Sequence, residues 1–372
     1  MHTVYLSLGS NLGNTYEFLN AAILALFERV GSVHKISPVY QSPALGFDAP
    51  DFHNCAISLK TKLSPEALLE QTQAIEKQVG REEKTSQGYE SRKIDIDVLL
   101  YDNETFKKES LVIPHPRLVE RRFVVQPLLD IAPELEIQTT SGAQTLKAIS
   151  ENCPDNSTLV KQPKWLKHPK DSITLTPYNY IAIEGNIGAG KTSLAQMVAD
   201  EFNAKPIFER YKDNPFLPKF YEEPDRYAFP LEMSFLADRY QQLLDDIGQY
   251  DLFKDFLIAD YDRYKSLIFA QVTLQEEEYA LYKRLHEMMY KDMPKPDLYI
   301  YLYQNTERLL ENIKSRGRAY EQSIEASYLE KINQGYLDFI KSQHHLNVKI
   351  IDISDYDFVK HRSDFIKLIK QF

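Results

Sequence analysis

Two short stretches carry residues whose types and spacing can do chemistry. The first, Gly185-Asn186-Ile187-Gly188-Ala189-Gly190-Lys191-Thr192-Ser193, fits Gly-x4-Gly-Lys-Thr in full. Its glycines let backbone N–H groups turn towards phosphate oxygens, and the helix N-terminus that follows adds positive potential. Lys191 supplies a point charge to the outer phosphates, and the Thr192 hydroxyl a ligand for Mg²⁺. The apolar strand "YIAIEG" before it and the helical "TSLAQMVADEF" after it are the context this motif needs. The stretch is therefore expected to bind a nucleoside triphosphate. Glu209 closes the next apolar run, "PIFER", at the carboxyl end of a strand, where open α/β sheets bind ligands. Alone it reads either as a surface glutamate or as a base that takes a proton from an attacking hydroxyl. Arg316 and Arg318, ending a long helical pattern, read either as a solvated helix end or as a lid over transferring phosphates.

The second stretch is "KIDIDVLL". A strand there puts Ile94, Ile96 and Val98 on one face and Asp95 and Asp97 on the other. Neighbouring carboxylates repel unless a cation lies between them, and such an oxygen pair suits Mg²⁺ shared with substrate phosphates. A solvated strand face is the alternative. Arg81, Arg92, His115, Arg117, Arg121 and Arg122 form a dense set of phosphate partners in an acidic protein, although Arg117 and Arg122 read as surface charges.

The elements that must position these residues divide into two sets. A chain of 372 residues, 43% apolar and 26% charged, fits a globular protein of two domains. A net charge of −10 excludes a broad nucleic-acid surface but leaves room for local phosphate sites. Only Cys55 and Cys153 are present, which excludes a disulfide framework and a cysteine zinc site and points to a reducing compartment. No basic leader and no apolar run long enough for a bilayer is evident, so a cytoplasmic protein without a membrane partner is expected. Between about Asn152 and Tyr178 the periodicity lapses among four prolines, placing a linker at 163–177 around Lys170. Domains are thus expected over 1–162 and 178–372, with no internal repeat relating them.

In the first half, "TVYLSLGS" alternates as a half-buried strand, and "NTYEFLNAAILALFERVG" follows as a helix. "DFHNCAISLKTKL" is a strand, "SPEALLEQTQAIEKQVG" a helix opened by Ser64 and Pro65, and "KIDIDVLLYD" a strand again. This predicts an α+β sandwich. In the second half, "YIAIEG", "PIFE", "DFLIAD", "PDLYIYLY" and "NVKIIDI" alternate with long amphipathic helices, predicting a parallel, doubly wound α/β sheet.

Residues 178 to 372 resemble the deoxynucleoside kinase family, in particular its bacterial purine-preferring branch. The resemblance is carried by "IAIEGNIGAGKTSL", "FERYKDNPFLPKFYEEPDRYAFPLEMSFLADRYQQ", "LIADYDRYKSLIFA" and "SRGRAYEQSIEASYLEKI". It implies that Glu209 is the general base for the sugar 5′-hydroxyl, that Tyr221 and Glu321 hold the 3′-hydroxyl, and that Arg316 and Arg318 form the lid. It implies further that Glu232 and Arg239 face the base, and that Asp260 is the family's acid at the end of its third strand. Tyr261 stands where an arginine often follows that acid, so the resemblance does not supply the cation beside Glu209. Thymidylate and adenylate kinases need arginines for an acceptor phosphate, whereas this stretch offers a carboxylate base and a Tyr/Glu pair for hydroxyls. The resemblance also implies a homodimer through long helices, here 234–246 and 266–289.

Residues 1 to about 160 resemble 6-hydroxymethyl-7,8-dihydropterin pyrophosphokinase, through "YLSLGSNLGN", "SPALG", "DFHNCAISL", "QAIEKQVGRE", "SRKIDIDVLLYD" and "VIPHPRLVERRFVVQPLLDIAPEL". The fold implied is ferredoxin-like α+β. Asp95 and Asp97 are implied to bind two Mg²⁺ bridging the ATP phosphates, against one Mg²⁺ in the kinase half. Ser42, Pro43, Leu45, Asn54 and Phe123 are implied to line the pterin site, with Phe52 where the family often has tyrosine. Glu76, Arg81, Arg92, His115 and Arg121 are implied to contact the nucleotide, Arg92 as a catalytic residue. The loop "EEKTSQGYES" departs from the pattern, less basic than usual and with Tyr89 where tryptophan is common, so a different loop closure and slower turnover are expected.

Together these readings predict a bifunctional enzyme using ATP and Mg²⁺. One half transfers a pyrophosphoryl group to a pterin and the other a phosphoryl group to a deoxynucleoside. The alternative is a working kinase behind a catalytically degenerate binding or dimerisation module. An ionised Glu232, where the family commonly has Gln, only accepts hydrogen bonds. That predicts deoxyadenosine, then deoxyguanosine, then deoxycytidine, with thymidine last. The alternative is a Glu232 turned to solvent.

Overall fold

Contacts divide the chain into two compact units, Met1–Ile173 and Thr174–Phe372. The computed structural model describes residues 1–45, 47–81, 90–139, 142–210, 214–248 and 253–372. Tyr89 and most of the departing loop lie outside the described residues. Among the described residues no helix is long and apolar enough to cross a membrane.

In the first unit the elements run β1 (His2–Ser10), α1 (Thr15–Arg29), β2 (Gly31–Ile36), β3 (Tyr40–Ser42), β4 (Phe52–Thr61), α2 (Pro65–Val79) and β5 (Asp95–Tyr101). There follow the pair β6 (Phe106–Lys108) and β7 (Leu111–Ile113), then α3 (Arg122–Ile131), the pair β8 (Glu136–Thr139) and β9 (Gly142–Thr145), α4 (Leu146–Glu151) and β10 (Val160–Lys161). The sheet order is β10-β3-β4-β1-β5, with β2 also on β4, and every pairing in it is antiparallel. The expected cap of α2 forms: Ser64 Oγ accepts the Ala67 N–H at 3.3 Å, and Pro65 needs no donor.

The first strand is more buried than its alternation predicts. Val4, Leu6 and Leu8 are fully buried, as expected, but Ser7 is buried too. The reason is α3, which packs Val124, Val125 and Leu128 with Tyr5, Ala56 and Leu99 in one cluster on the second face of the sheet. That helix covers only part of the face. The uncovered part holds Ser7 opposite Asp97 and Gly9 opposite Asp95. The expected linker is also ordered in part: Tyr16 donates to Lys164 O, the Lys167 N–H donates to Asn20 Oδ1, and Pro169–Ser172 make a 3-10 turn.

In the second unit the elements are β11 (Tyr180–Gly185), α5 (Lys191–Phe202), β12 (Lys205–Ile207), α6 (Leu217–Glu222), α7 (Pro224–Gly248) and β13 (Leu257–Ala259). After them come α8 (Tyr264–Thr273), α9 (Glu276–Met289), β14 (Leu298–Tyr303), α10 (Thr306–Arg316), α11 (Ala326–Ser342), β15 (Val348–Asp352) and α12 (Arg362–Ile369). All five expected strands form one wholly parallel sheet, ordered β12-β13-β11-β14-β15. The carboxyl ends of β11, β12 and β13 therefore lie side by side, each followed by a residue of interest: the phosphate loop, Glu209 and Asp260. The stretch 266–289 is two helices, not one. Leu274 is extended, and Gln275 starts α9 with a reciprocal cap to Glu278, so the chain turns between them.

Candidate active sites

In the first unit the uncovered sheet face becomes the floor of a cavity of about 330 Å³. Ser42, Pro43, Leu45, Phe52, Asn54, Arg92, Asp95, Asp97, Arg121 and Phe123 all line it. Period-two alternation from β5 aims both aspartates at it, as the sequence predicts. Asn54 donates to Ser42 Oγ at 3.0 Å, which fixes two polar groups at the apolar end. Gly9 keeps that end open, because a Cβ there would come within 2.9 Å of Asn54 Oδ1.

The charged end is tightly coupled. Asp95 Oδ1 accepts Arg81 at 2.9 Å and Arg92 at 2.5 Å. Arg81 also bonds Glu76, whose Oε1 accepts the Ile96 N–H at 2.8 Å. Glu76 is thus buried behind Arg81 and does not line the cavity; its carboxyl is pushed up to about 7 by burial, against the pull of Arg81. Burial and then the Asp95 charge push Asp97 up to about 6, although Arg121, Arg92 and Arg81 oppose the shift. A carboxylate pair this uneasy gains from a divalent cation between its oxygens, so the residues fit Mg²⁺. His115 stands behind the rim, its basicity lowered by burial and by Arg121, and its Nδ1 accepts the Arg117 N–H. Arg117, read as a surface charge, rims the cavity, whereas Arg122 is exposed outside it. The sequence reading missed Ser7, Gly9, Phe47 and Glu90, which also line the cavity. The first two come into it through the register of β1 against β5, which no sequence signal reveals.

In the second unit Gly188 and Gly190 take φ of 87° and 79°, conformations that suit glycine, and a Cβ on Gly190 would meet Phe358 at 2.8 Å. Lys191 Nζ donates to the Gly185 and Asn186 carbonyls, both at 2.9 Å. The Asn186 side chain does not face the loop interior. Its Nδ2 anchors the loop to α11 through Leu329 O and Asn333 Oδ1. Ala189 is buried, Ile187 lines the cavity, and Ser193 is exposed on the first turn of α5. Beneath the loop, Glu184 accepts the Asp262 N–H at 2.7 Å and the Tyr336 hydroxyl at 2.8 Å, which ties the end of β11 to its neighbours.

Asp260 joins two of the predicted site residues. One oxygen accepts the Thr192 hydroxyl and the other the Glu209 N–H at 2.8 Å. The Glu209 carboxylate is held on both sides, by Arg239 at 2.6 Å and 2.8 Å and by Lys265 at 2.6 Å. Burial alone raises its proton affinity, but Lys265 and Arg239 outweigh that and hold it well below the usual carboxylate range. Arg239 is therefore bound to Glu209 and Ser266, not left open beside Glu232 for a base edge. Tyr261 packs in the core and gives Glu209 no bond.

Glu232 is not turned to solvent: it is buried and lines a cavity of about 120 Å³ with Glu209, Tyr221, Arg239, Lys265, Arg316, Arg318 and Glu321. Its Oε2 has no hydrogen-bond partner, and its Oε1 lies 3.1 Å from the Thr273 hydroxyl. That hydroxyl also lies 2.9 Å from Phe269 O, and it has one proton for two acceptors. A protonated Glu232, donating to Thr273, resolves the conflict. Burial pushes its carboxyl up to about 7 despite Arg239 and Thr273. The expectation of a purely accepting carboxylate is therefore corrected: near neutrality Glu232 is in part a donor. Glu321 is buried and accepts both lid arginines, from Arg316 and from Arg318 at 3.0 Å. Tyr221 stacks on Tyr320 beside it. Each oxygen of Glu321 thus holds one arginine.

Both sites are built for transfer of phosphate groups from a nucleotide, one onto a flat heterocycle's side arm and one onto a nucleoside. The chain belongs to the deoxynucleoside kinase family, whose model matches residues 181–372, and its first half to the 7,8-dihydro-6-hydroxymethylpterin-pyrophosphokinase family, matched over residues 5–133. The deoxyguanosine kinase of Bacillus subtilis is 41% identical over 193 residues, 51% of this chain and 93% of that protein. The 2-amino-4-hydroxy-6-hydroxymethyldihydropteridine pyrophosphokinase of the same organism is 39% identical over 140 residues, 37% of this chain and 83% of that protein. The deoxyadenosine kinase of Dictyostelium discoideum is 34% identical over 167 residues, 44% of this chain and 66% of that protein. The protein is a bifunctional enzyme, a hydroxymethyldihydropterin pyrophosphokinase joined to a deoxynucleoside kinase, and both activities use ATP.

Proposed function

We propose that the first unit is a ferredoxin-like α+β sandwich in which Asp95 and Asp97 would hold two Mg²⁺, which would neutralise the phosphates of ATP. The pterin lies at the apolar end among Ser42, Pro43, Leu45, Phe52, Asn54 and Phe123. Its hydroxymethyl oxygen attacks the β-phosphorus, loses its proton, and the bond from that phosphorus to the α-phosphate oxygen breaks with its electron pair leaving on AMP. Arg92 and Arg121 neutralise the phosphates directly, Arg81 is held for the same task by Glu76, and His115 supports the rim. The observation that carries this reading is the like-charged aspartate pair beside Arg92 and Arg121 in a cavity whose other end is apolar. AMP release in the presence of hydroxymethyldihydropterin tests it. No AMP above background at any Mg²⁺ concentration would leave the first unit a binding or dimerisation module.

In the second unit Glu209 takes the 5′-hydroxyl proton, and Thr192 with Asp260 holds one Mg²⁺. The backbone of residues 185–190, Lys191 and Ser193 hold the triphosphate, while Arg316 and Arg318 close on the transferring group. Tyr221 and Glu321 hold the 3′-hydroxyl, and Glu232 reads the base. Purine deoxynucleosides are preferred, deoxyadenosine first, which the names of the relatives support only as far as the purine.

Protonation of Glu232 predicts how that preference moves with pH. A neutral acid donates and accepts at once, matching adenine's N6 amine and a ring nitrogen, or guanine's O6 and N1–H. An ionised carboxylate only accepts. It meets two donors on guanine, N1–H and the N2 amine, but on adenine one donor and a repelling lone pair. The charged groups facing Glu232 are Arg239, Lys265 and Glu209. Because the carboxyl titrates at about 7, kcat/KM for deoxyguanosine relative to deoxyadenosine is expected to rise about fivefold from about pH 6 to about pH 8, the scale of one hydrogen bond. Glu232→Gln is expected to flatten the ratio. A flat ratio in the unmodified enzyme overturns the role of Glu232.

The catalytic domains proposed are 1–162 and 178–372, cytoplasmic, paired as a homodimer through the kinase helices and acting independently. Cleaving the chain between Ile173 and Thr174 is expected to leave each activity within about twofold of the intact enzyme, as for domains that carry their own cores. A tenfold loss in either half refutes independence.

A further inference from the structure

Lys265, on the first turn of α8, has no part in the reaction as described so far, yet its position is unusual for a lysine. Its side chain is buried, and Nζ sits 2.6 Å from Glu209 Oε2. Arg239 already neutralises that carboxylate through its other oxygen, so the lysine charge is in excess there. Lysine brings three donors, and the contact with Glu209 uses one. Lys265 lines the small cavity together with Lys191, Thr192 and Asp260, the residues that surround the nucleotide phosphates. Lys191 and Lys265 thus line one cavity, and a phosphoryl group entering it lies within reach of both side chains.

We propose that Lys265 is a catalytic residue of the kinase unit, its ammonium contacting the phosphoryl group as it passes from ATP to the deoxynucleoside. The proposal rests on the reading of Glu209 as the base. In the transfer, the 5′-oxygen forms a bond to the γ-phosphorus while the bond to the β,γ-bridging oxygen breaks, its electron pair leaving on ADP. The 5′-hydroxyl proton passes to Glu209. Charge accumulates on the equatorial phosphoryl oxygens, and Lys265 turns donors towards them. As it does so its hold on Glu209 weakens, and the carboxylate recovers basicity when the proton must be accepted. A base clamped by two cations throughout would be too weak for the task.

The test is a double-mutant cycle in the full chain, with kcat and KM for deoxyadenosine followed by 5′-monophosphate formation. Lys265→Met is expected to lower kcat about 10²-fold, the scale for loss of one transition-state donor, with KM for the deoxynucleoside within about threefold. Lys265→Arg is expected to regain at least about tenfold of that loss. In a Glu209→Gln background, Lys265→Met is expected to lower the residual kcat by about tenfold or more again, because the phosphoryl contact survives without the carboxylate. A loss seen with Glu209 present and absent with Gln in its place shows that Lys265 acts only through Glu209, and overturns the proposal. An unchanged kcat for Lys265→Met overturns it outright. Glu209→Gln alone at full activity overturns the assignment of the base instead, and Lys265→Met then reads the phosphoryl contact by itself. Should Lys265→Met lose its cooperative thermal transition, Lys265→Gln carries the same expectations.

Discussion

Replacing Asp97 by alanine is expected to abolish pyrophosphoryl transfer while the same polypeptide goes on phosphorylating deoxynucleosides at its full rate. Asp97 and Asp95 are the carboxylates that would hold Mg²⁺, which would supply charge neutralisation at the ATP phosphates that the arginines around them do not replace. Loss of about 10³-fold or more in AMP release is expected from the missing charge stabilisation. A second readout separates this from a folding defect. The folded protein raises the Asp97 pKa from 3.8 to about 6, through burial and the Asp95 charge. An acid whose folded pKa is raised contributes no penalty while it is protonated in both states, and destabilises the fold as pH climbs through that window. Without divalent cations and above about pH 7, Asp97→Asn is therefore expected to melt at a higher temperature than the unmodified enzyme. The gap should close below about pH 4, and adding Mg²⁺ should narrow it by stabilising only the unmodified enzyme. A variant that melts lower at high pH, or that keeps its AMP release, would show that this carboxylate is not the metal ligand.

The parts of these sites that were legible in the sequence are the parts fixed by short spacing. Gly-x4-Gly-Lys-Thr brings its own geometry, and Asp95 and Asp97 share a face because a strand alternates. The parallel character of the second sheet was legible as well, and with it the placing of Glu209 at a strand's carboxyl end; the strand order that sets it beside Asp260 was not. What escaped was set by tertiary distance. Nothing near Asp97 in the sequence says that Ser7 lies opposite it, or that α3 covers half the face and leaves the rest as a cavity floor. Arg239 was read as a partner of Glu232, seven positions earlier on the same helix. The structure gives it to Glu209, 30 residues away, because a buried carboxylate draws the nearest cation. The protonation of Glu232 could not be read from residue type, since it follows from burial and from a threonine proton that has another acceptor. The break between α8 and α9 is different. Gln275-x-x-Glu278 is a capping signature in plain view, and the apolar spacing across it concealed the stop.

Glu209→Gln is expected to do the reverse of Asp97→Ala, lowering deoxynucleoside phosphorylation by about 10² to 10⁴-fold and leaving AMP release unchanged. The amide keeps the size of the carboxylate, but its one oxygen can accept from only one of the two cations that now sit on separate oxygens. The substitution therefore removes charge, proton affinity and one of these contacts. Two cations are then left in a buried pocket without a counter-ion, and the kinase unit should lose thermal stability, on the scale of a broken buried pair, about 3–5 kcal/mol. Rates must accordingly be taken well below the transition temperature. The division between kcat and KM discriminates further. Tyr221, Glu232 and Glu321, proposed to hold sugar and base, line the same cavity as Glu209, so deoxynucleoside KM should move little while kcat collapses. A large rise in KM with kcat preserved would make Glu209 a binding residue. Activity near that of the unmodified enzyme would leave the 5′-hydroxyl without a base among the residues of this cavity, since Asp260 is taken up by Thr192 and the Glu209 N–H.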